Sequence, residues 1–157
     1  MDVDQDSAGV KFMPPAAFAG TLVVGLALGR FLGSPDLPLS HSTERGIGWL
    51  AAILGIGIVF SAIGLFRAAG TDTQPWKRTT ALVTDGVYRW SRNPMYFGMA
   101  LAYAGVAIWL DSLVTLLLLI PLVFVIQREV IEREEAYLAG KFGAPYLAYK
   151  ASVRRWI

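Results

Sequence analysis

Apolar residues fall into four blocks along the chain, and polar residues collect between them. Residues 14–33 are apolar apart from Arg30, and residues 46–66 carry no charge. Each block is about the 20 residues that cross roughly 30 Å of hydrocarbon as a helix. Two shorter blocks, Pro94 to Leu110 and Leu113 to Ile126, are separated only by Asp111 and Ser112 and predict a tight helical hairpin. At 1.5 Å per residue a 16-residue helix reaches only ~24 Å, so this hairpin must thin the bilayer, stand nearly upright, or be partly sheltered by the first two helices. Small residues recur at helical spacing, at Gly25, Gly29 and Gly33 and again at Ala51 and Gly55. That pattern lets backbones approach where lipid supplies no hydrophobic drive. Gly55 and Gly57 lie within an apolar helix with no preceding strand, so they are not a dinucleotide fingerprint.

The expected fold class is therefore all-α integral membrane, with about four transmembrane helices followed by cytoplasmic C-terminal helices. One structural domain is expected in three parts. Residues 1–12 form a mobile tail, 13–69 a two-helix scaffold, and 70–157 a module of loop, hairpin and C-terminal helices. The composition agrees, since 55% of residues are hydrophobic against roughly 45–50% in soluble domains.

Charge adds an orientation. Twelve of the fourteen Lys and Arg residues, from Lys11 through the Arg67–Arg92 loop to Arg155, fall on one side of this topology, and only Arg30 and Arg45 fall on the other. Such asymmetry places both termini and the long loop in the cytoplasm, with a bacterial inner membrane the simplest host. Asp2, Asp4 and Asp6 ahead of Lys11 are the opposite of a signal peptide's basic start. Basic residues that flank spans report topology, so no nucleic-acid partner is expected; the partners are the bilayer and a substrate, and the oligomeric state is left open. The chain has no cysteine and one histidine, His41. Disulfides, a cysteine nucleophile and a Ser-His-Asp triad are excluded or improbable, and no metal site is expected.

The stretch from Arg67 to Asn93 is too polar to span and too long to be idle. Asp85-Gly86 is a turn signal, and Asn93-Pro94 starts the third span with Asn93 as N-cap and Pro94 in the first turn. That helix start presents free N–H groups and the positive dipole end to an anionic group. The fourth span is expected to continue as a polar helix from Gln127 to about Gly140, with i,i+4 pairs Arg128–Glu132 and Glu129–Arg133. Glu134 and Glu135 read most simply as part of the same solvated face. Phe142, Tyr146, Tyr149, Val153 and Trp156 form one aromatic-apolar stripe on a final helix, for packing or interface anchoring.

The run Leu82-Val-Thr-Asp-Gly-Val-Tyr-Arg-Trp-Ser-Arg-Asn-Pro-Met-Tyr96-Phe-Gly98, followed by Glu134-Glu-Ala-Tyr-Leu138, Phe142-Gly143, Tyr146, Tyr149 and Val153, resembles the isoprenylcysteine carboxyl methyltransferase and phospholipid methyltransferase superfamily. The resemblance covers residues 67–157 and joins two motifs. It implies an S-adenosylmethionine-dependent methyltransferase, with residues 70–157 as the methyltransferase-like module and a lipid-like or small acceptor bearing a carboxylate, thiol or amine. By position, the implied cofactor contacts are Thr80, Ala81, Leu82, Val83, Tyr88, Asn93, Pro94, Met95, Tyr96 and Glu134, with Tyr96 and Arg92 nearest the chemistry. Arg92 reads equally well as an interface anchor. Two positions depart from relatives. Asn93 stands where many carry histidine, and it does not titrate near neutrality. Val130 stands where prenylcysteine enzymes carry a substrate-facing arginine; in a straight helix Arg128 and Arg133 would point about 200° and 60° away from it. Competing readings are an NADPH-dependent membrane reductase related to sterol reductases, and a non-catalytic membrane scaffold.

Overall fold

A computed structural model describes residues 4–157 and contains six α-helices and no strand among them. Helix α1 (Pro14–Leu32) begins on a proline and stops at Gly33, whose left-handed φ of 70° closes the helix. Gly33, expected as a packing residue, is thus a terminator. Helix α2 (His41–Ala68) starts five residues before its apolar block, because the Ser40 hydroxyl accepts the Thr43 N–H and caps a polar first turn. Helices α3 (Pro94–Trp109) and α4 (Leu113–Ile126) form the expected hairpin. A π turn at Gln127–Ile131 joins α4 to α5 (Glu132–Phe142), and α6 (Ala144–Ser152) follows.

Three helical stretches are long and apolar enough to cross a membrane: α1, α2 and the continuous helical run Leu113–Phe142. Helix α3 is a shorter apolar one. The protein is an all-α integral membrane protein. Most of its exposed large hydrophobic residues, among them Phe31, Leu50, Ile53, Phe60, Ile120 and Phe124, lie on α1, α2 and α4. Helix α3 packs against all three of those helices. Of the ways to accommodate a short helix, the structure shows shelter by its neighbours.

The antiparallel α2–α3 pair rests on very small residues. Gly48, Ala52 and Gly55 face Gly98, Ala102 and Gly105, and a Cβ placed on Gly55 would lie 2.5 Å from both Gly98 O and Ala102 N. The buried alanine is Ala52 rather than the expected Ala51. Gly25 and Gly29 of α1 allow similarly close approach to Thr115 and Ser112. The Tyr103 hydroxyl ties α3 to α4 by donating to Thr115 O at 2.9 Å.

Two expectations change at the ends of the chain. Residues 4–12, read as the greater part of a tail, pack onto the body: Val10 is buried, and Asp6 pairs with Lys141 at 2.7 Å and Arg78 at 3.0 Å. Residues 1–3 lie outside the described residues. The aromatic stripe is divided. Phe142 ends α5, Gly143 turns the chain with φ 58°, α6 carries Tyr146 and Tyr149, and Val153 and Trp156 follow in an extended tail. The hydrophobic period continued through a turn that the glycine's positive φ makes possible.

Candidate functional site

The antiparallel α2–α3 pairing brings the end of α2 beside the loop preceding α3, and α5 and α6 cover both. The loop is drawn tight by its threonines: Thr80 N–H donates to Thr71 Oγ1 at 2.8 Å, and the Thr80 hydroxyl donates to Gly70 O at 3.1 Å. A 3₁₀ turn at Gly86–Arg89 then carries Tyr88 inward, where its ring lies tilted against Phe66 at 5.4 Å and packs with Tyr146 and Tyr149. These elements enclose a cavity lined by Phe66, the 72–75 segment, Ala81 to Val83, Tyr88, Arg92, Asn93, Met95, Tyr96, Glu134, Glu135 and the aromatic residues of α5 and α6.

Two polar groups on its wall are underused. The Tyr88 hydroxyl is buried and has no hydrogen-bond partner among the described residues. Glu134 accepts one bond, from the Tyr96 hydroxyl at 3.0 Å, and has no cationic partner among the described residues. Burial drives its pKa up to about 8, the Tyr96 bond opposes the rise, and the neighbouring Glu135 charge adds to it. Burial and the Glu134 charge likewise raise the pKa of Tyr88, so its hydroxyl stays a neutral donor.

Glu135 is the opposite case. Burial alone would raise its pKa, but bonds from Arg155, Arg92 and Lys150 outweigh that and hold it at about 2. Arg92 reaches it at 2.8 Å, Arg155 at 2.9 and 3.0 Å, and Lys150 at 3.1 Å. Arg92 also donates to the carbonyls of Lys150 and Val153. The backbone completes this clasp: Arg92 N–H donates to Arg154 O, while the Ser91 hydroxyl and Asn93 Nδ2 donate to Arg155 O. Asn93 occupies the N-cap position of α3, yet its side chain makes no cap and binds the C-terminal tail instead.

The structure thus gathers Ala81, Leu82, Val83, Tyr88, Arg92, Asn93, Met95, Tyr96 and Glu134 around one cavity. Thr80 and Pro94 are not on its wall. Thr80 is spent tying the loop, and Pro94 is buried at the start of α3. Among the lining residues the motifs did not indicate are Asp72, Thr73 and Gln74, for which the only sequence signal was the length of their loop, and Ala8, which had none. Glu134 and Glu135 leave the solvated face because they lie four residues beyond the buried Val130 and Ile131, on the inward side of the helix. The expected surface pairs do form, Arg128–Glu132 at 3.2 Å and Glu129–Arg133 at 2.7 Å.

Comparison with known proteins bears on the family of this chain. Over 63 residues, 40% of this chain, the sequence is 40% identical to an uncharacterized protein of Haemophilus influenzae, which is matched over its full length. Over 72 residues, 46% of this chain, it is 36% identical to the protein-S-isoprenylcysteine O-methyltransferase of Schizosaccharomyces pombe, of which the match covers 30%. The family model for phospholipid methyltransferases matches residues 44–145, from the first turn of α2 to the start of α6. With the match spanning most of the chain and three of the four apolar helices, the protein is an integral-membrane member of the phospholipid methyltransferase family.

Proposed function

We propose that the protein transfers a methyl group from S-adenosylmethionine to a lipid-like acceptor. The observation that carries this reading is the pairing of Glu134, a half-buried carboxylate with no cationic partner among the described residues, with the unpartnered Tyr88 hydroxyl on one aromatic-lined cavity. Those groups fit the donor. Glu134 accepts hydrogen bonds from amine or hydroxyl groups, and the rings of Tyr88, Tyr96, Tyr146 and Tyr149 present π faces to a cation. The first-turn N–H groups of Met95 and Tyr96 have no intrahelical partner and suit a carboxylate. When bound, S-adenosylmethionine supplies an electrophilic methyl on a sulfonium. The chain's residues bind it, orient it and exclude water; no covalent enzyme intermediate is needed.

Arg92, held by Glu135 and two carbonyls, acts as a positioning residue that sets the start of α3 against α6. Tyr96, hydrogen-bonded to Glu134, is assigned the position nearest the chemistry. An apolar groove between α1, α2 and α3 supports a lipid-like acceptor: its Ile63 and Met99 lie one turn along their helices from the cavity residues Phe66 and Met95. An acyl or prenyl chain in that groove would bring its polar end to the cavity. Val130 is sealed in the core, so the arginine that prenylcysteine enzymes carry there has no counterpart, which argues against a prenylcysteine carboxylate. The distribution of basic residues supports a cavity opening to the cytoplasm of a bacterial cell.

Thermal unfolding in detergent tests the donor. S-adenosylhomocysteine should raise the midpoint and NADPH should not. Stabilisation by NADPH alone would replace methyl transfer by reduction, and no response to either would leave a scaffold. Mass spectrometry of lipids from cells with and without the protein, searching for differences of one methyl group, identifies the acceptor.

A further inference from the structure

At the opposite end of the bundle three ligand-bearing side chains converge from two separate turns. His41 and Glu44 lie in the first turn of α2, and Asp111 forms the α3–α4 turn; one ligand atom from each lies within 4.8 Å of the others. His41 Nδ1 is 3.1 Å from Glu44 Oε2. Leu37 N–H donates to Asp111 Oδ1 at 2.7 Å and fixes the orientation of that carboxylate. A second and independent observation comes from Glu44. It is 3% exposed, and its Oε1 is buried without any hydrogen-bond partner among the described residues. A carboxylate oxygen left unpaired in a buried position costs free energy unless a proton or a cation satisfies it.

We propose that His41, Glu44 and Asp111 bind a divalent transition-metal ion of the zinc type. One imidazole nitrogen and two carboxylate oxygens form a donor set that zinc accepts, with solvent on the remaining position at the exposed His41 side. Magnesium fits poorly, because it demands six oxygen-type ligands in near-octahedral order. The ion would clip the start of α2 to the hairpin turn and lock the α2–α3 pair at the end remote from the cavity. Its role is structural and does not depend on the methyl-transfer reading.

The test uses the full chain, freed of any histidine tag and of metal by chelation, in detergent. Addition of zinc chloride should raise the unfolding midpoint by several degrees, and magnesium chloride should not. His41→Ala and Asp111→Asn should each weaken zinc binding ~10-fold or more by calorimetry. His41 is 83% exposed, so His41→Ala keeps the fold even if Glu44→Gln does not. The response to S-adenosylhomocysteine should stay the same in His41→Ala. Absence of zinc binding, or equal affinity in the parent and His41→Ala proteins, overturns the site.

Discussion

Glu134 and Glu135 are consecutive on α5, yet the two regions they enter are chemically opposed. Glu135 is surrounded by Arg92, Lys150 and Arg155 and sits at a pKa of about 2. Glu134 meets only the Tyr96 hydroxyl and sits at about 8. The difference lies in the partners, since burial pushes both carboxyls upward. A clasp needs every charge answered within the protein, whereas a binding cavity keeps one group unanswered for a ligand. Under the proposed function, two identical residues side by side divide the work of holding the site together and gripping what enters it.

Glu135→Gln should give the largest effect, a loss of about 3 kcal/mol of stability, because three cations lose their buried counter-charge; chemical unfolding in detergent measures it. Glu134→Ala should leave the fold as stable or more so but weaken S-adenosylhomocysteine binding ~30-fold, as expected for a charge-assisted hydrogen bond. Glu132→Ala, two residues earlier and paired with Arg128, should change affinity little, and equal losses in the two variants would undo the distinction. Calorimetry across pH sharpens it further. The carboxylate form of Glu134 must grip the ligand, so affinity should fall as pH drops below about 8, by up to ~10-fold per unit, and Glu134→Gln should flatten that profile. Stability should follow the opposite signs. Glu135 contributes above its ordinary value of 4.5 and loses that contribution as pH falls through about 2, whereas Glu134 costs more as pH rises from 4.5 through about 8. Tyr88→Phe should be the mildest change, lowering affinity only ~3-fold by removing one neutral donor.

The spans and hairpin were legible in the sequence because hydrocarbon admits few solutions, and a 20-residue apolar block announces itself. Boundaries were less so: α2 began earlier than its apolar block because one serine cap carries a polar turn. At the site, the motif around Tyr88 to Tyr96 and Glu134 marked much of the cavity wall. The difference between the two glutamates was hidden, because it lies in partners from distant segments, Tyr96 for one and Arg92, Lys150 and Arg155 for the other. Asn93 shows the same limit: its identity predicted a helix cap, but the distant Arg155 carbonyl competed for its side chain and won.

The clasp also bears on the order in which the molecule can mature. Arg154 and Arg155 supply the carbonyls and the guanidinium of this clasp, and both follow all four apolar helices along the chain. The walls of the cavity are therefore made before the latch that closes them. A chain truncated ahead of residue 154 would keep its four apolar helices with the pocket still unlatched.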